Sequence, residues 1–370
     1  MGRTLAVRLD SDGDVLLCGP ALTLLAETGD VVDLLVSSQG LAAAGLLPAV
    51  SEVLVHDAPW SGFRPPPVDR AATAELVERI ASGGYDRAVV FTSFHQSPLP
   101  MALLLRLASV PFIAAASVDY PGSLLDVRVR RDDPPGGGHE VEAAVEIAVA
   151  AGARRPDRIP GLAVRHPLPD VTDLLPGDGR DLVVVHPGAS VPARSLTPAH
   201  AGRIVAALRD VGYLVAVTGG PGERELVART LAACPGGTGG DGPHDTRGAD
   251  GSHRTDGGVL DLAGRTDLAQ LAAVLERAAV VVVGNTGPAH LAAAVGTPVV
   301  SLFSPVVPAD RWAPWGVPVR LLGDQHAPCR DTRARECPVD GHPCLTGVPP
   351  DQVVSAVTEL ATERRTRCAS

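Results

Sequence analysis

Between residues 280 and 305 the chain reads VVVVGNTGPAHLAAAVGTPVVSLFSP, and the turn Gly284-Asn285-Thr286-Gly287-Pro288 is the group of residues best suited to hold an anion. The β-branched run before it predicts a strand buried on both faces. The small-residue run after it predicts a helix over 290–295, with Pro288 where a first helical turn tolerates a missing N–H. A tight glycine turn at a helix N-terminus gathers backbone N–H groups and the positive end of the helix dipole. Phosphate is the commonest occupant of such a place. His290, in the first turn, would reach the same anion. An ordinary βα connection has the same pattern, so the rest of the chain must decide.

Residues of the same kind recur after other predicted strands. DLVVV leads into His186-Pro187-Gly188-Ala189-Ser190 and then Arg194. The strand ending at Thr218 leads into Gly219-Gly220-Pro221-Gly222 and Glu223, and Gly264-Arg265-Thr266 opens the helix over 268–277. One such loop is weak evidence. Three after three strands of one domain fit a nucleotide diphosphate lying across that sheet edge. None of these turns carries GxGxxG or the P-loop GxxxxGK(S/T), which disfavours a dinucleotide dehydrogenase or an NTPase.

The N-terminal half offers a different chemistry. The strand TLAVRL runs into Asp10-Ser11-Asp12-Gly13-Asp14, a loop with three carboxylates, before the helical VLLCGPALTLLAE. Asp14 has two readings: it caps the helix, or it faces the crevice where open α/β sheets do their chemistry. His95 and Gln96 follow another predicted strand, 87–92, and could contact a polar acceptor, although a lone histidine is as often hydrogen-bonded into place.

The elements that must position these residues repeat as strand, loop and helix in both halves. At 370 residues the chain suits two domains. An apolar content of 45% with only 3% aromatics predicts cores of Val, Leu and Ala. There is no lysine, and a net charge of −10 argues against a nucleic-acid partner. No signal peptide and no apolar run of about 20 residues is visible, so a soluble, cytoplasmic protein is expected. A Pro-, Asp- and Arg-rich tract over 155–180 separates the domains, and 236–258 reads as a disordered surface insertion. Cys329, Cys337 and Cys344 cluster near His326 and His342, but the CxxC pairs of a strong zinc site are missing. A packed or redox-sensitive loop and a metal site both remain open.

Four segments, in order over nearly the whole chain, resemble glycosyltransferase family 9, the heptosyltransferases. RLDSDGDVLLCGPAL is similar to its RxSxxGDxxxxxPAL signature, and HPGASVPAR to its HPGAxxxxK loop. GNTGPAHLAAAVGTPVVSLFSP resembles its D(S/T)GxxHLAAAxGxPxxxLFGP motif, and CPVDGHPCLTGVPPDQV its cysteine-bearing tail.

The resemblance implies an α/β protein of GT-B type, two Rossmann-like domains facing each other across a central cleft. The acceptor-side domain would span 1–170 and the donor domain 181–350, with a helix over 351–370 packing back toward the first. It implies inverting transfer of heptose or a related sugar from a nucleotide-diphosphate donor, typically ADP-linked, without a cofactor or an obligatory metal. The acceptor would be a hydroxyl of a glycan, a lipid-linked glycan or a small molecule, met in the cytoplasm or at the inner face of the membrane. A sugar-nucleotide epimerase and a non-catalytic nucleotide-sugar-binding protein are the alternatives. Asp14 would be the general base, its pKa raised by burial. Ser190, Arg194, Thr286, Gly287 and His290 would hold the diphosphate, and Asn285 the sugar. Gly219, Glu223, Gly264 and Thr266 would take the nucleoside, and Gly13, His95 and Gln96 would stand on the acceptor side. Two departures from the family pattern matter. Arg194 replaces its lysine, exchanging a point donor for a planar fork. Asn285 replaces an aspartate, which bears on which sugar is bound.

Overall fold

The computed structural model describes residues 2–62, 64–93, 96–130, 138–175, 177, 179–235, 254–255 and 258–369. The chain divides into two compact units, Met1–Arg165 and His166–Ser370.

The first unit runs β1 (Arg3–Arg8), α1 (Asp12–Leu17), α2 (Gly19–Ala26), β2 (Val31–Val36), α3 (Leu41–Leu46) and β3 (Val53–Val55). It continues α4 (Arg70–Ser82), β4 (Arg87–Val90), α5 (Leu99–Leu107), β5 (Phe112–Ala116), β6 (Val127–Val129) and α6 (Glu140–Ala150). The sheet order is β3-β2-β1-β4-β5-β6, every pair parallel. The chain builds one side of β1, then crosses to β4 and builds the other. The crevice at the carboxyl ends of β1 and β4 is therefore the switch point where such sheets place their chemistry. The strands earn their place through burial: Leu5, Ala6, Val7, Val89 and Val90 are all in the core. The helix predicted after Asp14 is two helices, because Pro20 in the first turn of α2 has no N–H to continue the ladder of α1. At the opposite edge the buried Asp33 of β2 accepts from Arg3 Nε and from Tyr85 Oη, both at 3.1 Å.

The second unit runs β7 (Leu182–His186), α7 (Pro198–Asp210), β8 (Leu214–Val217), α8 (Arg224–Ala232), β9 (Arg254–Thr255) and β10 (Val259–Asp261). It continues α9 (Leu268–Arg277), β11 (Val280–Gly284), α10 (Gly287–Ala294), β12 (Val299–Leu302), α11 (Ala309–Trp312) and β13 (Val319–Leu322). Two helices close it, α12 (Pro343–Thr346) and α13 (Pro350–Ala369). The order is β13-β12-β11-β7-β8-β10-β9, parallel throughout except for β9 on β10. Strands β7 and β11 are the neighbours at this sheet's switch point. They are valine-rich and fully buried, and each such side chain contributes about 1.5 kcal/mol or more.

Several expectations need correction. Strands β6, β10 and β13 were not anticipated, being three or four residues long and only partly apolar. Within 236–258, expected to be disordered, Arg254–Thr255 form the edge strand β9 and Gly258 leads into β10. Residues 236–253 and 256–257 lie outside the described residues. Within its own unit the last helix lies against α7, β11, β12 and β13. There Val353, Val357 and Leu360 join the core. Arg364 ties it down further, donating to the carbonyls of Glu276 and Ala278 at the end of α9.

Candidate functional site

In the first unit the site begins with a charge that closes an apolar strand. Arg8 is the last residue of β1, yet its side chain is only 4% exposed. A buried guanidinium must be paired, and this one meets three partners. Its Nε lies 2.8 Å from Asp10 Oδ2, an ion pair not aligned for a hydrogen bond. Its Nη2 donates to Asp14 Oδ1 at 3.1 Å and to Ser93 Oγ at 2.8 Å.

Asp14 sits in the first turn of α1 with a side chain 21% exposed, and its Oδ2 accepts from Ser11 Oγ at 2.9 Å. The capping reading of Asp14 does not hold, because Ser11 occupies the N-cap position and Asp14 lies within the helix. Burial pushes the Asp14 carboxyl up to about 6; Asp10 and Glu140 push the same way, while Arg8 and the Ser11 hydroxyl oppose them. A carboxylate so poised takes a proton near neutral pH. Gly13, the residue before it in α1, is buried. Asp12 is used elsewhere, accepting from Ala43 N at 2.9 Å.

Gln96 has a different role from the one expected. Its Nε2 donates to Asp10 Oδ1 at 2.6 Å and its Oε1 accepts from Ser93 N at 3.1 Å, so both ends of the amide brace the loop. His95 lies outside the described residues. A small apolar hollow lined by Leu9, Trp60 and Met101 adjoins Gln96.

In the second unit four neighbouring strands, β11, β7, β8 and β10, end in loops that are knitted together. His186, closing β7, contacts Thr218 Oγ1 through Nδ1 at 3.0 Å, and its Nε2 is 3.6 Å from Glu223 Oε2. Burial lowers the pKa of His186 despite the nearby carboxylate, which keeps the ring neutral. Glu223 Oε2 also accepts from Gly220 N at 2.7 Å. A Cβ at Gly188 would fall 2.0 Å from Glu223 Oε1, so the HPGAS loop approaches this carboxylate only because that residue is glycine. Gly264 N donates to Gly219 O at 2.8 Å and joins the next two loops. At Gly264, φ is +63°, and a Cβ would meet Arg224. Gly284 packs against the backbone of Arg194, with a Cβ there falling 2.7 Å from the Arg194 carbonyl oxygen. This contact carries the Arg194 turn to the start of α10.

Helix α10 begins at Gly287, three residues earlier than expected, with Thr286 as N-cap and Pro288 in the first turn. The Thr286 side chain makes no capping bond. His290 is buried in that turn, and Ser190 is exposed at the end of its loop. Thr266 is half-buried beyond Gly264. Asn285 is 5% exposed, and neither its Oδ1 nor its Nδ2 has a hydrogen-bond partner among the described residues. A buried amide left unmatched costs about 1–3 kcal/mol.

The cysteine cluster is packed. Cys329 and Cys344 are in the core of the second unit as free thiols, and Cys337 donates to Val339 O at 3.2 Å. Burial, then neighbouring Cys329, pushes the Cys344 thiol up to about 12. No group of three His, Cys, Asp or Glu side chains among the described residues is placed to hold a metal ion.

Sequence reasoning gave no role of their own to Arg8, Asp10 and Glu140 in the first unit, or to His186 and Thr218 in the second. A charged residue closing an apolar run was the available signal for Arg8. A histidine closing β7 was the signal for His186. Nothing local marks Glu140.

Two doubly wound α/β units, one presenting a carboxylate and the other an edge of glycine-rich loops at their switch points, define the GT-B class of glycosyltransferase folds. The chain belongs to glycosyltransferase family 9 (heptosyltransferase), whose profile matches residues 73–342. It is 29% identical over 192 residues to lipopolysaccharide heptosyltransferase 3 of Escherichia coli, covering 50% of this chain and 48% of that protein. The chain thus spans about half the length of the curated relative it matches. The structure of E. coli ADP-heptose lps heptosyltransferase II is similar, with TM-score 0.74 and 20% identity over 98% of this chain and 99% of that one. E. coli heptosyltransferase WaaC with ADP-2-deoxy-2-fluoro heptose gives TM-score 0.62 and 20% identity over 96% and 99%. These two likenesses show the fold.

Proposed function

We propose that the chain is an inverting glycosyltransferase that moves heptose or a related sugar from an ADP-linked donor to an acceptor hydroxyl. The observation that carries the reading is Asp14, a carboxylate held by Arg8 and Ser11 at the first sheet's switch point with its pKa lifted to about 6. The acceptor oxygen attacks the anomeric carbon from the face opposite the diphosphate. As the new C–O bond forms, the bond from that carbon to the diphosphate oxygen breaks, and the hydroxyl proton passes to Asp14. Negative charge grows on the leaving nucleoside diphosphate. Arg194, Ser190, Thr286, Gly287, His290 and the N-terminus of α10 hold it in place. Asn285 hydrogen-bonds the sugar, Glu223 takes the ribose hydroxyls, and Gly219, Gly264 and Thr266 line the base. No metal is assigned a step.

The ADP preference is supported by the solved relatives, described with ADP-heptose and with a fluoro analogue of it. No helix among the described residues is long and apolar enough to cross a membrane. The protein then meets its glycan, lipid-linked or small-molecule acceptor in the cytoplasm or at the inner face of the membrane.

A thermal-shift panel of ADP, GDP, UDP and dTDP tests the donor. ADP raises Tm by degrees over the others, since stabilisation grows with the ratio of ligand concentration to Kd; a UDP or dTDP preference overturns the ADP assignment. Asp14→Ala abolishes transfer and changes ADP affinity by less than about threefold, the pattern of a group used in the transition state. Full turnover in that variant removes Asp14 from its role.

A further inference from the structure

We propose that Arg8 is the positioning residue of the first unit's centre: anchored by Asp10 and Ser93, its guanidinium fixes the Asp14 carboxylate and sets its proton affinity. The inference rests on the reading of Asp14 as the base and adds the device that tunes it.

The geometry is specific. Asp10 approaches Nε at 2.8 Å, while Asp14 and Ser93 share Nη2 at 3.1 and 2.8 Å. Asp10 is itself held by Gln96 Nε2 at 2.6 Å, and Gln96 in turn accepts from Ser93 N. The guanidinium is thus locked from both flanks by residues of the β1–α1 and β4–α5 loops. A planar guanidinium presents its Nε and Nη2 at separate, fixed positions, whereas an ammonium gathers all its donors at one point.

The titratable groups facing Asp14 come from several elements: Arg8 and Asp10 from β1 and its loop, the neutral thiol of Cys18 from the end of α1, and Glu140 from α6. Ser11 adds a hydroxyl. One cation therefore faces three carboxylates, Asp10, Asp14 and Glu140, in a buried cluster. Arg8 and Asp10 bind each other yet act on Asp14 in opposite senses. Arg8 stabilises the ionised carboxylate by attraction. Asp10 destabilises it by repulsion and by drawing the guanidinium charge toward itself.

That opposition supplies the test. The whole chain is labelled with 13C-aspartate, and the Asp14 carboxyl resonance is assigned by its absence in Asp14→Asn. Its titration is then followed by NMR. Wild type is expected to titrate near 6. Arg8→Gln moves the midpoint up by about one unit or more, and Asp10→Asn moves it down, because removing an opposite and a like charge shift a carboxylate in opposite directions. Arg8→Lys keeps the charge and stays closer to wild type, but turnover falls because the three-way grip is lost. Circular dichroism and the ADP thermal shift verify folding; should Arg8→Gln fail to fold, Asp10→Asn and Arg8→Lys carry the test. A bridge that only stabilised the fold would leave both midpoints unmoved or shift them alike, and either result overturns the proposal. The base reading fails separately: sugar transfer retained by Asp14→Asn removes it, whereas an inactive Asp14→Asn with unmoved midpoints removes only the role of Arg8.

Discussion

Asp14→Asn should gain stability relative to wild type as pH rises. A free aspartate titrates at 3.8, and in the fold Asp14 is pushed up to about 6, chiefly by burial. The folded state therefore binds more protons than the unfolded state between these two values. By linkage, wild type loses stability as pH rises through that window. A neutral asparagine has no such loss. At pH 4.5 about a third of the effect has developed, and by pH 8 it is complete. The gain in unfolding free energy of Asp14→Asn over wild type thus grows by about 2 kcal/mol between pH 4.5 and pH 8.

Urea titrations followed by circular dichroism at several pH values measure this difference directly. Comparing one variant with wild type cancels the titrating groups remote from Asp14. The constant part of the difference, including the loss of the Arg8 contact, cancels in the pH dependence. A difference that is flat with pH, or that shrinks as pH rises, would refute the idea that burial holds Asp14 protonated toward neutrality. A rising difference, together with lost turnover, would mark Asp14 as a residue kept at the expense of stability.

Other outcomes follow from the geometry of the second unit and of the first sheet's far edge. Gly188→Ala puts a methyl 2.0 Å from Glu223 Oε1; displacing that carboxylate weakens ADP binding about tenfold, or about 1.4 kcal/mol by calorimetry. Gly284→Ala meets the Arg194 carbonyl at 2.7 Å, a backbone atom that cannot swing aside. It lowers stability by about 1–3 kcal/mol and weakens ADP binding as the Arg194 turn moves, both readable in one thermal-shift series. Asp33→Ala removes the buried acceptor of Tyr85 Oη and one partner of Arg3, which keeps Glu52 and the Gly83 carbonyl. It costs about 1–3 kcal/mol in urea denaturation and leaves ADP affinity unchanged.

The donor edge was legible because its signals are local. An apolar run followed by glycine and a hydroxyl residue announces a strand end and a turn, and this pattern recurs at His186–Ser190, Thr218–Gly222 and Gly284–Gly287. What the pattern misjudged was the start of α10, since Gly287-Pro288 reads equally as a turn or as a first helical turn, and Thr286 as N-cap decides it. The first unit was less legible because its interactions are long-range. Gln96 looked free to reach a substrate, yet Asp10 and Ser93 take both its ends. Arg8 looked like the polar end of a strand, and only the arrival of β4 beside β1 turns it into a buried anchor. Glu140 belongs to this cluster only because α6 packs against α1 and α2. Short strands such as β6 and β10 are defined by their neighbours more than by their own residues.

The valine-rich centre of the second sheet has a consequence outside the reaction. Strand β11 is four consecutive valines and a glycine, paired on both edges by β7 and β12. Segments of this kind, uncharged and β-branched without proline, are strong self-association sequences when exposed. Central placement conceals both edges, and α13 packs across β11 and β12 to help cover one face. The solubility of the chain during synthesis therefore depends on completing this sheet and closing it with its last helix. Until α13 has emerged and docked, the newly made second unit presents an adhesive surface, and a chaperone that binds short apolar strands would find its natural target there.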